Sequence, residues 1–427
     1  MPIRLPKDAK HYDYEDQVCA ALAAAGYYLE TRLILRTENE EVLEFDALAT
    51  PVKDHSNRCA VEIKSGRWGV PDIFKLCGQI LYTDERRGWL IHKQPSAEQK
   101  RRAIDTVLKA VPVDVIHFDV GSQQELSIPF ERGLELKDEV IWRVFVASWW
   151  ARSASRVAQD RYRSWTKSFD PLPELVANAR GYIDTIGESV FIKSPLDRVT
   201  ALYDAYKDAP QLTSSLLQHA AEIGGHELTR IRSDVFNKSE RYGLQFAAAQ
   251  EHRARFAIIK NAYDAVLEAQ ARDDKRRPWG GLKLAFLPAS FLQGLRALET
   301  VPYAAHVPYV LQVFVDVFGG YLFPGDDREL VAIADSTGVE PDQVLPAIQL
   351  MDEFFPIPGG WLHAGNGITF LKGVPAYQRG TGCFTREALY GEKWEAGFPR
   401  SEWWLGSWRN ALHALLEPTL KVMEEDA

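Results

Sequence analysis

The first 120 residues alternate between stretches of period two and stretches of helical period. Ala20 to Ala25 is alanine-rich and favours helix, and Gly26 follows as a C-cap. Tyr28 to Leu35 alternates apolar and polar residues in part, as a half-buried strand does. Asn39-Glu40-Glu41 is a polar turn, and Val42 to Thr50 returns as a second strand. After a loop over Pro51 to Arg58, Cys59 to Lys64 is a third strand. Gly69 to Thr83 reads as a helix with Val70-Pro71 near its start, followed by a short apolar strand at Gly88 to His92. A helix over Lys100 to Ala110, with an apolar stripe at Ile104, Val107 and Leu108, and a strand over Val113 to Val120 complete the segment. Strands interleaved with helices predict an α/β domain with a mixed or parallel sheet covered on both faces.

From about residue 130 the pattern turns helical. Asp138 to Lys167, Leu172 to Ile186, Pro195 to Ile223 and Glu227 to Arg272 carry apolar residues at helical spacing. The tryptophans Trp142, Trp149, Trp150 and Trp165 read as core. Asp273 to Gly281, charged and then rich in Pro and Gly, reads as a linker. Beyond it, Ser290 to Leu298 and Val307 to Phe318 are helix-like. Arg328 to Thr337, a turn at Gly338, Glu340 to Phe355 and short strands at Gly360 to His363 and Gly367 to Leu371 outline a helix-turn-helix with a wing. The second helix of that outline carries Glu340, Asp342, Asp352 and Glu353 and no Lys or Arg, which argues against reading of the major groove. Three regions are therefore expected: an α/β domain over 1–125, a helical domain over 126–275, and a mainly helical region over 276–427 with a small winged-helix-like β element.

The chemistry concentrates in the first region. Asp46, in Leu43-Glu44-Phe45-Asp46, precedes Glu62 and Lys64, in Val61-Glu62-Ile63-Lys64-Ser65-Gly66. Glu62 and Lys64 are two apart on a strand and so share a face. Asp46, placed at the end of the preceding strand, lies beside them. Two carboxylates and a backbone carbonyl can hold a Mg²⁺ ion together with waters. The Lys64 ammonium then falls where an attacking water or a strained phosphate sits, which suits phosphodiester hydrolysis. On its own, an acid-x-Lys pair is more often just the solvated face of a strand.

The order helix, three strands, helix, strand, with D…E-x-K across the second and third strands, resembles the PD-(D/E)xK nuclease superfamily. The likeness is to its Mrr-type and Holliday-resolvase-like branch, over residues 10–120. The opening helix carries Tyr14-Glu15-Asp16-Gln17-Val18, then Leu22 and Gly26-Tyr27, as that branch does. The resemblance implies a restriction-endonuclease-like fold and Mg²⁺- or Mn²⁺-dependent cleavage. It implies Asp46 and Glu62 as metal ligands, Glu15 as an outer acidic residue or ligand of a second ion, Lys64 as the catalytic lysine, and Gln79 as a residue that positions water or strand. Phe45 stands where the family has proline, and Tyr82 comes one residue early for the Q-x-x-x-Y spacing of one branch.

Composition refines this picture. The 427 residues are 46% hydrophobic and 26% charged, an ordinary globular profile. Four cysteines without a C-x-x-C pair argue against a zinc site or a disulfide framework and for a reducing compartment. A polar N-terminus and no apolar run of membrane length point to the cytoplasm. The net charge of −9 does not draw the whole chain to nucleic acid, so any contact must be local. Arg86-Arg87, Lys100-Arg101-Arg102 and Lys275-Arg276-Arg277 are such clusters, each taken singly more often a solvated helix face or a loop tip. Arg67 and Trp68, directly after the third strand, are the favoured clamp or stacking pair. No P-loop and no G-x-S-x-G elbow occur.

The expectation is a metal-dependent nuclease acting on DNA in preference to RNA. Its setting would be prokaryotic defence, restriction or repair, with the helical part recognising a target, a protein partner or a second subunit. Two alternatives stand beside it. One is a non-catalytic scaffold that keeps the fold to bind nucleic acid or protein; the other is an RNase or single-strand-specific nuclease using the same residues.

Overall fold

A computed structural model describes residues 9–37, 40–94, 98–119, 187–206, 254–268, 289–316, 321–322, 328–354, 361–363 and 369–371. It opens with α1 (Tyr12–Ala24), then β1 (Tyr27–Thr37), β2 (Glu40–Pro51), β3 (Cys59–Lys64), α2 (Val70–Thr83), β4 (Arg87–His92), α3 (Glu98–Leu108) and β5 (Val113–His117). The strands form one mixed sheet in the order β1-β2-β3-β4-β5. β1, β2 and β3 pair antiparallel, whereas β3, β4 and β5 are parallel and joined by crossovers through α2 and α3. The α/β reading of the first region holds. Gly26 takes φ 100°, the left-handed turn that lets the chain leave α1 for β1.

Alternation along the strands divides the core into two layers. Cys59, Val61 and Ile63 of β3 join Trp89 and Ile91 of β4 on the face covered by α1. Ala60 and Leu90 pack on the other face with Ile73, Leu76 and Ile80 of α2 and Ile104 of α3. Period two therefore sends Glu62 and Lys64 to the α2 side. Gly88 sits where α2 presses on β4: a Cβ there would lie 2.7 Å from Ile80 Cδ1 and 2.9 Å from Leu76 Cγ. Gly88→Ala is expected to destabilise the protein by about 1–3 kcal/mol through overpacking, measured by chemical denaturation.

The later helices are α4 (Pro195–Tyr206), α5 (254–268), α6 (Ala289–Thr300), α7 (Val307–Asp316), α8 (Arg328–Thr337) and α9 (Pro341–Phe354). They pack against the α1 face and share its core, with Leu202, Ile258, Phe291, Tyr309, Phe314 and Phe354 in the same cluster as α1 and β1. The Tyr309 hydroxyl donates to the Ala23 carbonyl at the end of α1. Gln312 of α7 seals the outer edge of the sheet. Its Oε1 accepts from the Leu29 N–H at 3.1 Å and its Nε2 donates to the Leu29 carbonyl at 2.9 Å. One amide thus satisfies both groups of an edge residue that would otherwise be open to pairing.

Short strands β6 (Tyr321–Leu322), β7 (Trp361–His363) and β8 (Thr369–Leu371) form a small sheet in the order β6-β8-β7. The helices expected over 328–337 and 340–355 are α8 and α9, joined by a turn at Gly338 with φ 75°, and the two expected short strands correspond to β7 and β8. The second helix of the pair, α9, buries Val344, Ile348, Met351 and Phe354, and shows Pro341, Asp342, Pro346 and Gln349 at its surface.

The expected boundaries at 125/126 and 275/276 lie outside the described residues, as do the stretches 138–167, 172–186 and 227–253, the clusters at 275–277, and the tryptophans between 142 and 165. No helix among the described residues is long and apolar enough to cross a membrane.

Candidate active site

β2 and β3 pair only from Ala47–Val61 to Ala49–Cys59, then part. At the point of parting, the Ile63 N–H donates to Asp46 Oδ2 at 2.6 Å. A side chain takes the place of the lost ladder carbonyl and draws Asp46 beside Glu62. Asp46 is not at the end of its strand, as expected, but near the middle of β2. It marks the end of pairing with β3 only, because β2 continues beside β1 as far as Thr37 and Glu40.

Glu62 is 1% exposed. Its Oε1 lies 2.6 Å from Lys64 Nζ, so the two residues do meet on one face. Two residues not foreseen complete the cluster. Lys75 Nζ donates to both Glu62 oxygens, at 2.8 and 3.0 Å. Asp72 Oδ1 lies 3.6 Å from Lys64 Nζ, while its Oδ2 accepts the Gly69 N–H at 2.8 Å and caps α2. Asp72, Lys75 and Gln79 are spaced i, i+3, i+7, one stripe of α2 facing the sheet. That polar stripe on a helix with an apolar core face was the signal available in the sequence. Gln79 is fully buried and its Nε2 donates to the Glu44 carbonyl at 2.6 Å, with no described partner on Oε1. It ties α2 to β2 two residues before Asp46 and touches neither carboxylate.

Burial, followed by the charge of Glu62, pushes the Asp46 carboxyl up to about 7. The hydrogen bond from Ile63 opposes this, and Glu15 on α1 adds to the rise. Burial works against the Lys64 charge, but the bond to Glu62 and the charges of Glu62, Asp46 and Asp72 outweigh it and hold the ammonium above its ordinary range. A buried carboxyl of raised proton affinity beside a second carboxylate is the electrostatic condition that a divalent cation relieves. Among the described residues no group of three His, Cys, Asp or Glu gathers around a metal position. Of the expected ligands, Asp46 and Glu62 come together; two carboxylates with water could hold Mg²⁺ or Mn²⁺.

The other expected residues divide. Glu15 is half-buried, on a helix whose start is tied to the site by the His11 N–H donating to Ser65 Oγ at 2.9 Å. Arg67 is exposed on the loop between β3 and α2, beside the cluster. Trp68 is not a stacking surface: it is 8% exposed, its Nε1 donates to the Gln94 carbonyl at 3.0 Å, and its ring lies 4.6 Å from that of His92. It walls the site. His92 pairs in register with Lys64, and burial and then the neighbouring His117 push its imidazole down to about 4, so it stays neutral at pH 7. Arg86 and Arg87 stand apart from the site. Arg87 is opposite Cys59, at the far end of β3 from Lys64, roughly 17 Å away at about 3.3 Å per strand residue. Its guanidinium lies 5.2 Å from the Trp89 ring. No family model, no curated protein and no solved structure matches this chain.

Proposed function

We propose that this chain is a metal-dependent nuclease that hydrolyses phosphodiester bonds, with DNA as the preferred substrate. The observation that carries the proposal is the meeting of Asp46, Glu62 and Lys64 where β2 and β3 part. In this reading Asp46 and Glu62 hold the ion, and Glu15 supports them or holds a second one. A bound Mg²⁺ supplies Lewis-acid polarisation of the phosphate and a more acidic coordinated water. Lys64 orients the attacking water and stabilises the charge that builds on the phosphate oxygens. Gln79 fixes the distance between α2 and β2, and Arg67 meets the backbone of the strand. A single site cuts a single strand, so duplex cleavage calls for a homodimer or a second encounter.

A binding scaffold is the second reading. What favours it is that both Glu62 oxygens are already held by ammonium groups.

Cleavage of labelled duplex DNA, single-stranded DNA and RNA with Mg²⁺, Mn²⁺ or chelator distinguishes the two. Metal-dependent cutting lost in Lys64→Ala, by about 10²-fold or more, is the expected result, and the preferred nucleic acid separates the DNase from the RNase. Wild-type protein that binds DNA but cuts nothing, and binds no metal, would leave the scaffold.

A further inference from the structure

We infer that Lys75 gates this site: it competes with the divalent ion for Glu62, and on substrate binding it passes to a phosphate oxygen of the nucleic acid, so that metal and strand bind cooperatively. The inference rests on the nuclease reading and adds a residue and a coupling to it.

Two ammonium groups share one buried carboxylate, which needs only one for charge balance. They are not equivalent. Lys64 leaves β3 beside Glu62, sits half-buried with 28% of its side chain exposed, and has Asp72 as a second acidic neighbour. Lys75 reaches in from α2, is 45% exposed, and spans both Glu62 oxygens. An ion that takes Glu62 competes with both ammonium groups, because three donor contacts already occupy the carboxylate and two positive charges stand where the cation would sit. Lys75 is the donor that can leave. Its flexible stem carries a compact charge, and both it and Arg67 are exposed. An ammonium released next to a cation stays only if an anion receives it. In a nuclease the anion that arrives is a phosphate, which a lysine holds as a point charge. The displaced Lys75 then belongs to the complex of metal and strand together, and by linkage each ligand tightens the other.

The test measures Mn²⁺ binding to the full chain by calorimetry, alone and with a duplex oligonucleotide of phosphorothioate backbone. Wild type, Lys75→Gln and Lys75→Arg are compared, with circular dichroism to check folding. Without DNA, Lys75→Gln is expected to bind Mn²⁺ about tenfold more tightly, one charge-assisted hydrogen bond reduced by solvent screening. DNA should tighten Mn²⁺ binding in wild type and Lys75→Arg but not in Lys75→Gln. Equal or weaker Mn²⁺ binding by Lys75→Gln overturns the gate, and so does full DNA coupling in that variant. Failure of all three proteins to bind Mn²⁺, with or without DNA, would instead remove the metal site and the nuclease reading beneath it.

Discussion

Asp46→Asn is expected to do two opposite things: to lower metal-dependent cleavage by about 10³-fold, the order of a lost metal-ion contribution, and to stabilise the metal-free protein at alkaline pH. Asn can keep the hydrogen bond from Ile63 through its side-chain carbonyl, so the parting of β2 and β3 survives. It cannot supply the negative charge that a hydrated cation needs beside Glu62. The stability effect follows from the raised proton affinity of Asp46, which burial and the Glu62 charge push up to about 7. Between about pH 4, where the unfolded carboxyl ionises, and about pH 7, the native state keeps a proton that the unfolded chain has released. Unfolding gives that proton up, so stability falls as pH rises through this window and stays reduced above it. Asp46→Asn removes the ionisation. Its unfolding temperature at pH 8 in chelator should exceed that of wild type by about 1 °C, as for a gain near 1 kcal/mol in a protein of 427 residues, and the difference should vanish at pH 4. Divalent metal should raise the wild-type transition at pH 8 and leave the variant unmoved. A variant that melts below wild type at pH 8 would show that the carboxylate is stabilised by Lys64 more than it is penalised by burial.

Asp264→Ala should cost about 3–5 kcal/mol, the penalty for removing one member of a buried ionic cluster. Asp264 of α5 takes Lys260 Nζ at 2.7 Å on Oδ2, with Lys260 only 1% exposed, and faces His55 Nδ1 at 3.1 Å through Oδ1. His55 belongs to the loop between β2 and β3, and its other ring nitrogen, Nε2, donates to the Ala305 carbonyl at 2.9 Å. His55 therefore joins the sheet domain to two later elements, through Asp264 and through Ala305. Burial alone would push the proton affinity of Asp264 up, yet Lys260 and His55 together hold it well below the usual carboxylate range. Alanine would strand the Lys260 charge in the interior and release the loop that leads into β3. Urea denaturation should show a lower midpoint, and Lys260→Met on the Asp264→Ala background should recover part of the loss, since the stranded charge is its main cause. Equal stability of Asp264→Ala and wild type would mean that the helices do not depend on this cluster to dock.

The first region was legible in the sequence because its information is local. Alternation at Cys59 to Lys64 encodes a strand and also puts Glu62 and Lys64 on one face. The apolar spacing after Val70 encodes a helix, and Gly26 encodes the turn that separates α1 from β1. The order of these elements leaves few ways to form a covered sheet. Asp46 could be matched to Glu62 on order alone. The details of that match were decided in three dimensions. The polar stripe at Asp72, Lys75 and Gln79 marks one face of α2, but that this face meets Glu62 depends on the angle and height at which α2 crosses the sheet. Trp68 is spent on the wall, and Arg87 points from the far end of β4, because parallel register places Lys64 opposite His92 and Cys59 opposite Arg87. The helices α8 and α9 were readable from their apolar spacing and from the turn at Gly338. That α5 to α9 share a core with α1, and that Gln312 closes the edge at Leu29, was not. Periodicity tells which face of an element is buried; which element buries it depends on packing between residues hundreds of positions apart, and that only the tertiary structure decides.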